Sequence, residues 1–155
     1  MGVAYRPAPE VEREIRLLVD SDVHPQLVGI PISACFRSKA KAKRSKIVLA
    51  TAQLVTGRSA YLAAAMHDGA DFYLIEVAED EWETLSAEQR RALVDHELTH
   101  CAGVDPETRK LAIRGHDLEE FVCIVERHGA WTQDVATFAK SCQQLTLADW
   151  SVKAS

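Results

Sequence analysis

The chain has 155 residues with 18 basic and 23 acidic side chains, a formal charge of −5 at neutral pH. That length suits a single domain, and mild acidity argues against a molecule that binds nucleic acid over its whole surface. With 47% hydrophobic and 26% charged residues, chain-wide disorder is excluded, and no apolar run reaches the roughly 20 residues of a membrane span.

Taken in chain order, Met1 to Glu14 is charged and proline-bearing, without the apolar stretch of a signal peptide. Arg6 stands where a myristoylation signal after Gly2 needs Ser or Thr. Glu10 to Val19 reads as an amphipathic helix, with Val11, Ile15, Leu18 and Val19 on one side and Pro7 and Pro9 ahead of it. Gln26 to Phe36 reads as a strand, and Pro31 inside it suggests an edge position or a bulge. Lys39 to Lys46 is basic through Lys39, Lys41, Lys43, Arg44 and Lys46. A solvated hairpin loop is the plain reading, and a weak contact with nucleic-acid backbone or an acidic partner is the sharper one. Ile47 to Thr56 reads as a second strand stopped by Gly57, and Asp71 to Val77 as a third, from its aromatic and β-branched content.

Glu79 to Thr84 predicts a short helical turn carrying Trp82. Ser86 and Gln89 form a capping box that opens the clearest helix, running to about Ala102 with Gly103 as a left-handed stop. Asp117 to His128 predicts another helix, with Leu118, Phe121, Val122 and Val125 as its buried stripe. A last helix from Thr132 to Leu145 is expected to pack by Val135, Phe138 and Ala139, with a frayed tail after about residue 150. This order predicts an α+β domain over 1–155, a small, mostly antiparallel sheet packed on helices. Cys35, Cys101, Cys123 and Cys142 form no CxxC pair, which predicts reduced thiols and a cytoplasmic setting.

The segment that carries chemistry is Val94-Asp95-His96-Glu97-Leu98-Thr99-His100. His96 and His100, one helical turn apart, project from one face and can chelate one ion. Glu97 can reach a water on that ion. Zinc with three protein ligands acidifies the water in its fourth position, and an adjacent carboxylate can take the proton and return it to a leaving amine. Val94, Leu98 and Cys101 form an apolar stripe that anchors the helix. A third ligand is expected downstream, with His116 preferred because imidazole suits zinc and Glu120 and Glu119 as rivals. A glutamate that does not ligate can instead orient an imidazole. His128 sits at a helix end where it serves the helix dipole, and His24 and His67 receive no role. Cys101 and Cys123 read as small buried residues.

These residues, with Gly115-His116-Asp117-Leu118-Glu119-Glu120-Phe121, resemble the phage metallopeptidase family, small zincin-like proteins of phages and prophages. They are more distantly similar to SprT-like proteases. The resemblance implies a minimal zincin-like fold with an HExxH active-site helix, Zn2+ on His96, His100 and His116, and Glu97 as catalytic base. It implies hydrolysis of a protein or peptide in the host bacterial cytoplasm. It also suggests that Asp71 to Val77 is an edge strand that pairs with substrate, where the sequence alone reads equally as plain core. By residue type alone, Tyr73 or Arg114 is a candidate to stabilise an oxyanion. Two other functions compete with this one. One is a non-catalytic zinc-containing protein that binds a host defence or DNA-processing factor. The other is a DNA-associated protease that uses Lys39 to Lys46 for targeting. Oligomeric state is not legible.

Overall fold

A computed structural model describes residues 2–43 and 46–153, with side chains described as far as residue 144. Arg44 of the basic stretch and the last two residues of the tail lie outside the described residues. The chain divides into two compact units, Met1–Arg114 and Gly115–Ser155.

The first unit is built on a four-stranded sheet. Strand β1 is Tyr5–Pro7, β2 is Ile32–Arg37, β5 is Ala50–Val55 and β6 is Phe72–Ala78, ordered β1-β2-β6-β5. β2 and β6 run parallel, and the other two pairings are antiparallel. The short strands β3 (Lys41–Lys43) and β4 (Lys46–Val48) form a separate two-stranded ribbon. β6 lies inside the sheet, and Phe72, Tyr73, Ile75, Val77 and Ala78 are buried. A strand covered on both faces reads as a nearly unbroken apolar run, so its role is core. The alternative placement at the sheet edge does not hold.

Helix α1 (Pro9–Asp20) lies where its periodicity predicts and buries Val11, Ile15 and Leu18. It packs on β2 and on helix α5 (Ala87–His100), which in turn packs on β5. Between β5 and β6 run the short helices α2 (Gly57–Leu62) and α3 (Ala64–His67), and α4 (Glu79–Trp82) is the expected turn. One core cluster joins Val11, Ile15, Leu27, Phe36, Ile75, Trp82, Val94 and Leu98. Each fully buried aliphatic chain there contributes roughly 1.5–3 kcal/mol. The α+β expectation holds.

Several boundaries differ. Only the second half of Gln26 to Phe36 is strand. Pro25–Leu27 is a 3₁₀ turn, and Pro31 precedes an interior strand, where its carbonyl accepts the Tyr73 N–H at 3.1 Å. Pro31 therefore marks neither an edge nor a bulge. Gly57 opens α2 with φ 55°, and Ile47 to Thr56 is broken between β4 and β5. α5 stops at His100, because Cys101 turns to extended backbone (φ −80°, ψ 94°) and begins β7 (Cys101–Val104). β7 pairs with β8 (Leu111–Ile113), a hairpin whose strands are too short to show alternation in sequence.

The second unit holds α6 (Val122–His128) and α7 (Gln133–Lys153). The expected start of α6 at Asp117 fails. The Glu120 carboxylate accepts the Phe121 N–H at 2.7 Å and the Trp131 indole N–H at 3.1 Å. That bond caps a backbone donor outside helix geometry and delays the helix to Val122. Phe121 and Val122 are each 74% exposed, so the predicted stripe is not buried. In α7 Val135 is buried, whereas Phe138 and Ala139 are exposed, and the helix continues to Lys153.

Candidate metal centre

α5 starts where its sequence demands. The Ser86 hydroxyl accepts the Gln89 N–H at 3.2 Å, and the Gln89 side chain accepts the Ser86 N–H at 2.9 Å. Val94, Leu98 and Cys101 are completely buried and set the helix's rotation on the core. That rotation turns His96 outward and leaves His100 half-buried, with ring centroids 5.1 Å apart.

The β7–β8 hairpin carries the chain back to the end of α5. The Arg114 N–H donates to the His100 carbonyl at 2.7 Å, and His100 Nδ1 lies 2.7 Å from the Arg114 carbonyl. A carbonyl only accepts, so Nδ1 carries a proton, and Nε2 is the ring nitrogen that a metal ion would take. Tyr73 secures this hairpin. Its hydroxyl donates to the Ala112 carbonyl at 2.6 Å and accepts the Gly103 N–H at 3.1 Å. The oxyanion role considered for Tyr73 is therefore excluded, since its one proton and its lone pair hold backbone. Gly103 has φ 79°, and a Cβ there would meet the Gln26 carbonyl oxygen at 2.8 Å.

His96, His100 and His116 are a group of residues that could hold a metal ion. Glu119 and Glu120 are not in that group, and Glu120 is engaged with Phe121 and Trp131. Glu97 is only 5% exposed. Burial pushes its carboxyl above the usual range, against the opposing pull of His100 and of a hydrogen bond from the Ala52 backbone on β5.

A profile of the family described as "Putative phage metallopeptidase" matches residues 3–143. The chain belongs to this family. No curated protein and no solved structure matches it. Membership of a metallopeptidase family implies a metal ion, and His96, His100 and His116 are residues of this family member that could receive it.

Other histidines and cysteines depart from expectation. His24, given no role, is 5% exposed and its Nε2 donates to Asp95 Oδ1 at 2.7 Å. Gln26 lies within hydrogen-bond reach of His24 Nδ1 and of the Cys101 carbonyl. This network fastens the residue next to His96, across 71 positions of sequence, and no local pattern signals it. His67 pairs with the Ser33 hydroxyl at 2.7 Å and packs at a tilt against Phe72. Cys101 is buried as expected, and burial, then the Glu97 charge, pushes its thiol up to about 12. Cys123 is exposed, because α6 buries no residue. Val23, His24, Gln26, Thr99, Ala102 and Arg114 line a cleft of about 410 Å³. Among the described residues, no helix is long and apolar enough to cross a membrane.

Proposed function

We propose that the protein is a zinc-dependent peptidase with a minimal zincin-like site. His96, His100 and His116 hold the metal, and Glu97 is the general base. The observation that carries this reading is a nearly fully buried Glu97 on the same turn as His96 and His100, whose rings lie 5.1 Å apart. Burying a carboxylate costs free energy unless it is paired or used, and a leucine would serve the core better at that position.

The donor set fits zinc. Imidazole is a favoured ligand, the Arg114 carbonyl orients the His100 ring through Nδ1, and three protein ligands leave a fourth position open. When bound, zinc would polarise the scissile carbonyl and acidify a water. Glu97 takes a proton at its carboxylate and delivers it to the leaving amine. β5 is an outer strand of the sheet packed against α5, and an extended peptide can add to it by backbone pairing. β5 thus takes the substrate-strand role that the sequence suggested for Asp71 to Val77.

Glu97→Gln keeps the side chain's size and removes the base. It should retain zinc at the parental stoichiometry, measured by elemental mass spectrometry. Cleavage of a peptide library should fall by about 10²–10⁴-fold. Equal cleavage by variant and parent would remove Glu97 from the chemistry.

A further inference from the structure

Six of the chain's 18 basic residues lie within the twelve positions 37–48, with no acidic residue among them, in a chain of net charge −5. The structure gives the described residues of this run a shape. β3 and β4 form an antiparallel ribbon paired Lys41 to Val48, Ala42 to Ile47 and Lys43 to Lys46. Period-two geometry puts Lys41 and Lys43 on one face with Lys46, and Ala42 with Ile47 on the other. Lys39, Lys43 and Lys46 are exposed, and among the described residues they form no ion pair.

Two features mark this as a contact surface. Lys43 and Lys46 stand directly opposite, an arrangement that destabilises a ribbon by like-charge repulsion. The base of the ribbon, by contrast, is fastened to the body. Lys41 Nζ donates to Glu76 at 2.6 Å, the Ala40 N–H donates to Asp80 at 2.9 Å, and the Arg37 guanidinium bonds the Lys39 carbonyl. Neutralising bonds are thus spent on orienting the ribbon, while the outer cations keep their repulsion. A line of phosphates relieves it.

We infer that the β3–β4 ribbon is a binding surface for the phosphate backbone of nucleic acid, contacted by Lys39, Lys43 and Lys46. A two-stranded ribbon has the width of a duplex major groove. Lysine without aromatic neighbours on the ribbon gives contacts to phosphate rather than to bases. The binding is independent of sequence and of the peptidase reaction.

The test uses the full chain carrying Glu97→Gln, with fluorescence anisotropy of a labelled mixed-sequence 20-base-pair duplex from low to moderate salt. Each phosphate contact contributes about −0.9 to the slope of log affinity against log salt. Replacing Lys39, Lys43 and Lys46 with Ala should weaken binding at least tenfold at low salt and make the slope shallower by about 2.7. Replacement of all three with Arg should keep both. Circular dichroism should show the parental melting transition, since all three side chains are exposed. Absence of duplex binding at low salt, or an unchanged slope in the Ala variant, overturns the inference. Displacement of the duplex by a polyglutamate peptide at equal charge concentration also overturns it, in favour of an acidic protein partner.

Discussion

At the scale of single residues, the side chains around the histidines matter for what they hold in place. His24 has no motif around it, yet its bond to Asp95 and its place beside Gln26 brace α5 next to the proposed ligand pair. His24→Ala should cost roughly 1–3 kcal/mol through lost buried hydrogen bonding. That is about 2–4 °C of melting temperature per kcal/mol at this chain length. Calorimetry checks the loss, and an unchanged transition would make the pair ornamental. Tyr73→Phe should cost a similar amount, because it orphans the Gly103 N–H and the Ala112 carbonyl. His96, Glu97 and His100 lie within one turn, where sequence spacing is spatial spacing. The Arg114 carbonyl that fixes the His100 tautomer is a backbone atom 14 residues away, and no residue type announces it.

At the scale of elements, α5 begins as its capping box dictates because that signal is complete within four residues. Ser86→Ala should lower stability by about 0.5–2 kcal/mol in denaturant titration. Its end was misplaced because Gly103 looks like a helix stop. It is instead a left-handed strand residue at the irregular β7–β8 register, pressed on Gln26. Gly103→Ala therefore strains both backbone and neighbour, and should destabilise by more than about 1 kcal/mol. The hairpin's turn carries a pH signature. Asp105 Oδ1 accepts the N–H groups of Thr108 and Glu107, each at 2.8 Å, and these bonds hold its carboxyl below its ordinary range. A carboxyl with a depressed folded pKa stabilises the fold above the unfolded pKa and loses that contribution as acid protonates the folded state. Asp105→Ala should melt earlier than the parent at neutral pH. The gap should narrow as pH falls below the ordinary aspartate range, which a pH series of melting curves would show.

At the scale of the whole molecule, the α+β class was legible from the alternation of apolar periods, whereas the strand order was not. The parallel pairing of β2 with β6 joins Ile32 to Tyr73, a partnership set by shared burial over a long loop. Likewise, the charge run at 39–46 was visible in sequence, but its form as a ribbon bonded to Glu76 and Asp80 came only from the fold. Family membership implies a metal ion, and the histidine group offers residues that could hold it. The most direct test is anomalous scattering at the zinc edge from a crystal of the full chain grown with zinc. The account predicts one strong peak about 2.0–2.1 Å from nitrogens of His96, His100 and His116, with a solvent molecule completing the tetrahedron. A peak closed by a fourth protein side chain, or no peak beside His96 and His100, would contradict it.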